Sequence, residues 1–243
     1  MNLIIDVGNS YVKLAVFKDS ELLEKRVVLL KAVEDEIDVL AKHYLDLDNV
    51  IISSVGNLDK LTIKSISKRF NVLFLDSNTK LPFKNLYSTP KTLGVDRIAL
   101  VSGSIKQFSE KNVLIIDAGT CVTYDFINSN NEYLGGAISP GINMRYKALN
   151  NFTAKLPLLD KEMPKNIIGN STEASIHSGV VFGFLKEIEG VIKCYKMKYS
   201  DLTVILTGGD AKFLSKQLKS SIFANPNFLL EGLDYILQFN SNE

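Results

Sequence analysis

Two short phrases, DVGNS at 6–10 and DAGTC at 117–121, constrain this chain of 243 residues more than any other feature of it. Each closes an apolar run, LIID in the first case and VLIID in the second, with an acidic residue, a glycine and a small hydroxyl residue. Apolar runs of this length bounded by turn residues read as buried strands. YVKLAVFKD follows the first phrase, which suits two antiparallel strands joined by a tight turn, with Gly8 supplying a backbone angle that other residues resist. The second phrase restarts the same pattern, so the chain reads as two similar lobes.

Between the phrases, AVEDEIDVLAKHYL has helical periodicity, NVIISSV reads as a strand, LDKLTIKSISKRF as a helix and NVLFLD as a strand. That alternation predicts an α/β layer. The segment 77–92 carries Pro82 and Pro90 without a sustained period and reads as a loop, after which a helix opens near GVDRIALVSGSIKQF. NVLIIDAGTCVTYDFINSNNEYLGGAISPG then predicts strand, turn, strand, turn, strand. Helical stretches follow at NMRYKALNNFTAKL and STEASIHSGVVFGFLKEIEGVIKCYKMKY, then a strand LTVILTGG running into DAKFLSKQLKS, and a last amphipathic piece NFLLEGLDYILQF. The expected lobes are 1–111 and 112–243, and a cleft between such lobes is a usual place for a small-molecule site.

Composition narrows the ligand. With 46% hydrophobic and 23% charged residues the chain can bury a sizeable core, and a net charge of +1 offers no field for nucleic acid or an anionic membrane. Cys121 and Cys194 follow no metal-ligand spacing, and His43 and His177 cannot complete a zinc set without carboxylates. The opening MNLIIDVG starts a strand, with no signal-peptide pattern. The expectation is a cytoplasmic protein with reduced thiols and a small polar ligand.

The hairpins themselves name that ligand's chemistry. A glycine turn exposes backbone N–H groups, a hydroxyl adds a donor, and the combination suits phosphate oxygens. A carboxylate beside phosphate makes sense only if it holds a cation that the phosphate also binds. TGGD at 207–210 again follows a strand and starts a helix, where a nucleotide would meet free N–H groups.

Two phosphate hairpins and a glycine pair, in this order, resemble the superfamily of acetate and sugar kinases, Hsp70 and actin. Within it the chain is similar to the type III pantothenate kinases over nearly its whole length: DVGNSYVKLAVF, GVDR at 94–97, DAGTCVTYD, GGAISPGI at 135–142, STEASIHSG at 171–179 and TGGDA at 207–211. The resemblance implies an α/β fold of two similar actin-like (ribonuclease H-like) lobes, each a mixed sheet flanked by helices, with a cleft between them. It also implies ATP-dependent phosphorylation of pantothenate, the first step towards coenzyme A. Two rivals stay open: a kinase of the same fold acting on another small alcohol such as a sugar, and a nucleotide-binding regulatory protein without turnover.

Carried over by position, the resemblance assigns Asp6, Val7, Gly8, Asn9, Ser10, Tyr11, Val12 and Lys13 to ATP, with Asp6 at its magnesium end, and gives Thr120 a contact to ATP phosphate. Asp117 is similar to the aspartate that holds a monovalent cation, K+ or NH4+. Asp96 matches the general base, although an aspartate before RIALVSGSI also suits a helix N-cap. Gly94, Val95, Arg97 and Tyr87 match substrate contacts, Arg97 by offering a fork of donors to the pantothenate carboxylate. Thr172 resembles a threonine that reaches pantothenate from the neighbouring subunit, implying a homodimer, while Ser171 and Thr172 also suit capping of the helix that follows. Ser10 stands where threonine is common, and Cys121 replaces a small residue in the family pattern and reads as buried and inert. His177 reads as a helix-packing or surface residue.

Overall fold

The computed structural model describes residues 1–8, 11–54 and 58–241. In chain order the first elements are β1 (Asn2–Val7), β2 (Val12–Lys18), β3 (Glu21–Val28), α1 (Val33–His43), β4 (Asn49–Ser54), α2 (Lys60–Arg69), β5 (Asn71–Phe74), β6 (Lys84–Asn85) and α3 (Val95–Phe108). They are followed by β7 (Val113–Ala118), β8 (Cys121–Ile127), β9 (Glu132–Pro140), α4 (Ile142–Asn151), α5 (Thr172–His177), α6 (Gly183–Lys198), β10 (Thr203–Thr207), α7 (Ala211–Leu214), β11 (Phe223–Ala224) and α8 (Phe228–Ser241). The chain divides into two compact units: Met1–Ser109 with Asn131–Tyr133 and Asn227–Glu243, and Glu110–Asn130 with Leu134–Pro226.

The first unit is built on a sheet of order β3-β2-β1-β4-β5, in which β1 runs antiparallel to β2 and parallel to β4. Strand alternation sends Leu3, Ile5, Val7, Val12, Leu14 and Val16 to one face. There they meet Val33, Ile37 and Leu40, the apolar stripe of α1, and Ile66 of α2. Capping fits the helix positions: Asp59 accepts from the N–H groups of Leu61 and Thr62 at 2.9 Å, and α1 has Glu34, Asp35 and Glu36 in its first turn. The opposite face carries Ile4, Asp6 and Lys13, and α8 lies against β1 and β4 on the first unit while packing on α3. Asp234 of α8 is fully buried, accepts from Asn2 Nδ2 at 2.8 Å and Gln238 Nε2 at 2.6 Å, and has Lys106 of α3 at 3.5 Å.

Those bonds draw the end of the chain to the first unit, so a contiguous division at 111/112 departs from the structure in Asn227–Glu243 and in Asn131–Tyr133. The second unit has strand order β11-β10-β7-β8-β9, with β7 antiparallel to β8 and parallel to β10. Leu114, Ile116, Val122, Tyr124, Val204 and Leu206 form its core with Ile142 and Tyr146 of α4 and Phe184 and Ile188 of α6. ELLEKRVV, to which the pattern assigned no element, forms an edge strand. Two local expectations change: the helix expected over 171–199 is broken by a π-helical turn at Ser178–Phe182, and the piece after TGGD keeps only one helical turn.

Candidate active site

In the first hairpin Asp6 stands directly across from Lys13, and Lys13 Nζ lies 3.1 Å from Asp6 Oδ2. The carboxylate is buried at 7% exposure. Burial raises its pKa above the usual carboxylate range, Lys13 opposes that shift, and the nearby Asp96 charge adds to it. Lys25 shares this face of the sheet, since it pairs with Ala15 two residues along β2 from Lys13. Its Nζ donates to Asn227 Oδ1 at 2.8 Å, and burial followed by repulsion from Lys13 lowers its pKa. The Gly8 N–H donates to the Tyr11 carbonyl at 3.1 Å. Gly8 does not adopt the positive φ expected of it; a Cβ there would lie 3.1 Å from the Tyr11 oxygen, a tight contact that asks the facing backbone to give by a few tenths of an ångström. Asn9 and Ser10 lie outside the described residues. Val7 and Val12 are buried in the core, so they have only backbone to offer a ligand, whereas Tyr11 is exposed.

Gly94, Val95, Asp96 and Arg97, expected at the substrate, lie together at the start of α3. Gly94 is the N-cap and makes no side-chain bond, which leaves Asp96 in the first helical turn instead of at the cap. Asp96 Oδ1 accepts from the Arg97 N–H at 2.8 Å and packs against Gly94, where any Cβ would overlap it. Asp96 is half-buried, whereas Arg97 is 5% exposed. The guanidinium carbon lies 5.5 Å from the centre of the Tyr87 ring, a cation–π arrangement that orients the fork. Tyr87 is held in turn by its N–H bond to Asn85 Oδ1 at 3.0 Å.

The second hairpin presents a different partner. Asp117 stands directly across from Thr123 on β8 and beside Thr207 on β10. Directly opposed residues point to the same face. Thr123 Oγ1 is buried and has no hydrogen-bond partner among the described residues. Gly208 has φ +92°, and a Cβ on it would overlap Asp117 Oδ1 and the Ala118 carbonyl, so this corner of TGGD must be glycine. The hairpin closes through Gly119 N–H to Cys121 O at 2.9 Å and is braced by Gly141 N–H to Thr120 O at 3.1 Å. Thr120 is exposed, and Asp210, paired with Lys161, donates its N–H to Ala118 O at 2.9 Å.

Ser171 caps α5 by accepting from the Ala174 N–H at 3.1 Å, which leaves Thr172 exposed as the first helical residue. Thr172 lies on the rim of a cavity of about 1080 Å³ whose walls include Leu149, Phe152, Leu156, Ile176 and Val180. His177 Nδ1 lies 2.8 Å from the Tyr146 hydroxyl, a packing contact between α5 and α4. Cys121 is half-buried instead of buried, because it starts β8 at the open end of the hairpin, and Cys194 is exposed.

The family model for type III pantothenate kinase matches residues 2–194. This chain belongs to that family. It is 51% identical over 243 residues to a type III pantothenate kinase of Christiangramia forsetii, with 100% of both chains covered. It is 48% identical to one of Flavobacterium johnsoniae, with 98% of each covered. A solved glucokinase from an Antarctic psychrotroph matches with a TM-score of 0.56 at 10% identity, covering 98% of both chains, and so shares the fold alone. The fold is the actin-like α/β architecture of sugar kinases, built on mixed sheets flanked by helices. As a type III pantothenate kinase, the protein phosphorylates pantothenate at the expense of ATP, with a divalent metal, in coenzyme A biosynthesis. Among the described residues no helix is long and apolar enough to cross a membrane.

Proposed function

We propose that Asp96 is the general base of pantothenate phosphorylation, receiving the proton of the terminal hydroxyl as its oxygen attacks the γ-phosphorus and the bond to the ADP oxygen breaks. One observation carries this reading: Asp96 is half-buried next to the Arg97–Tyr87 pair, and its charge is felt by Asp6 at the phosphate hairpin. A single carboxylate thus has a carboxylate receptor and a phosphate-binding turn within electrostatic reach. Arg97, Tyr87 and the backbone of Gly94 and Val95 receive pantothenate, with the guanidinium fork on its carboxylate.

Asp6 and Lys13 serve the triphosphate end of ATP with the backbone of Val7, Gly8, Tyr11 and Val12, joined by Asn9, Ser10 and Thr120. Asp6 would hold the magnesium that arrives with ATP, an ion that would supply charge neutralisation at the triphosphate. Asp6 suits that ion because it is an acceptor at the mouth of a phosphate turn, already balanced by one lysine. Asp117 holds the monovalent cation, K+ or NH4+. The buried Thr123 hydroxyl on the same face, without a partner among the described residues, supports this, since such ions take oxygen ligands. A second copy of the chain covers the apolar cavity beside Thr172 and brings that threonine to its neighbour's substrate; Phe152, 88% exposed on the cavity wall, supports an interface there. Dependence on ATP argues for a cytoplasmic enzyme.

Asp96→Asn tests the central role. With the fold intact and pantothenate still bound, kcat should fall by about 100- to 10,000-fold, the range of a lost general base. Normal turnover by the folded variant would remove Asp96 from the chemistry.

A further inference from the structure

Asn131–Tyr133 is a short excursion: the chain on either side of it belongs to the second unit, yet these three residues pack with the first. The excursion pins the proline-flanked loop that carries Tyr87. Lys84 and Asn85 pair in parallel with Glu132 and Tyr133, the Lys84 N–H donates to Asn131 O and the Leu86 N–H to Tyr133 O, both at 3.0 Å. Lys84 Nζ adds an ion pair to Glu132 at 2.9 Å. Asn131 turns the chain into this pairing with φ +56°, a left-handed angle that asparagine tolerates.

Side chains continue what the backbone begins. Tyr133 is fully buried, its ring stacks on Tyr87 with centroids 6.0 Å apart and planes at 28°, and Phe83 meets it edge-on at 6.0 Å. Tyr87 is in turn the ring beneath the Arg97 guanidinium. A loop with only a two-residue strand has little of its own to fix the tilt of Tyr87, whereas a buried aromatic neighbour does.

We infer that Tyr133 is a positioning residue for the acceptor substrate: it sets the Tyr87 ring, the ring sets the plane of the Arg97 fork, and the fork meets a carboxylate. The inference rests on the reading that Arg97 and Tyr87 bind pantothenate. It makes recognition of an anionic acceptor depend on the first residues of β9, far from Arg97 in sequence, and it assigns Tyr133 no contact with ATP.

Steady-state kinetics of the full chain test it with Tyr133→Leu, Tyr133→Phe and Arg97→Lys, titrating pantothenate and ATP separately. Tyr133→Leu should raise KM for pantothenate about tenfold, the size of one stacked ring with its cation neighbour, while kcat and KM for ATP stay within about twofold. Tyr133→Phe, which keeps the ring, should restore the parent KM. Should the leucine variant fail to fold, Tyr133→Met, unbranched and adaptable in packing, reads the same split. Equal effects on pantothenate and ATP, or a fall in kcat alone, would reduce Tyr133 to a packing residue and overturn the inference. A raised KM in Arg97→Lys with none in Tyr133→Leu overturns it while sparing the substrate reading, and an unchanged KM in Arg97→Lys overturns both.

Discussion

The two acidic glycine hairpins share a motif and differ in what faces it. In the first, Asp6 is opposed by Lys13; in the second, Asp117 is opposed by Thr123. The difference arises in the loop. Four residues separate the last pair Val7↔Val12 and three separate Ala118↔Val122, so the residue brought across from each aspartate comes from a different offset in the motif. One hairpin therefore sets a lysine across from its aspartate, and the other a threonine. The first thereby balances a buried carboxylate with an ammonium, whereas the second sets a hydroxyl across from its carboxylate. Identical residues are thus given different electrostatic work by strand register.

The comparison breaks most severely at Asp6. Asp6→Asn should lower kcat/KM for MgATP by about 100- to 1,000-fold, a loss comparable with that of one preorganised electrostatic contact in a closed site, as read from ADP release. The same variant should be no less stable than the parent at neutral pH. Burial raises the folded pKa of Asp6, so the stability it contributes is complete below its unfolded value of about 3.9 and is lost as pH rises through the folded value. Equilibrium unfolding of the two proteins at pH 5 and pH 8 checks the sign.

Lys13→Thr installs the second hairpin's partner in the first. Lys13 lowers the Asp6 pKa, so its loss should move the acid limb of kcat/KM for MgATP to higher pH and reduce the plateau by about tenfold, as for one charge-assisted hydrogen bond of about 1.5 kcal/mol. An unmoved limb would mean that Asp6 does not control it. Lys25→Met should move the limb in the same direction by less, because its effect on Asp6 is the weakest of the lysine contributions.

Smaller effects belong to the second hairpin. Gly208→Ala forces a positive φ on a residue with a Cβ and should cost about 1–2 kcal/mol in denaturant unfolding, with further loss from its overlap with Asp117. Thr123→Val should raise the potassium concentration for half-maximal stimulation about fivefold, as for a lost contact of about 1 kcal/mol, with little change in stability because the buried hydroxyl has no partner to lose among the described residues. Potassium and sodium buffers giving equal rates in the parent enzyme would remove the cation role from Asp117.

Much of the arrangement was legible in local pattern. The paired phrases placed both hairpins on apolar strands, and GVDR before an apolar helix placed Asp96 and Arg97 at the start of α3. β3 was not legible, because ELLEKRVV alternates charged and apolar residues at a sheet edge whose exposed side chains resemble those of a loop. The break after His177 was hidden too: a π-helical turn carries a helical apolar pattern, and Ser178 Oγ donates to Ile167 O in the irregular segment eleven residues upstream. Tyr133, in NNEYLGG, has no motif to mark it, and its stacking on Tyr87 exists only once β6 and β9 pair.

By itself the sequence determined the α/β alternation, the two acidic glycine turns and the position of the carboxylate at the start of a helix, because each depends on residues within a few positions of one another. Tertiary structure decided which side chain faces each turn's aspartate, which unit the last helix joins and which ring lies beneath the Arg97 guanidinium. Those outcomes depend on strand register, on the buried Asp234 drawing α8 to β1 and α3, and on a ring from a distant segment, and none of these interactions exists until the chain has closed on itself.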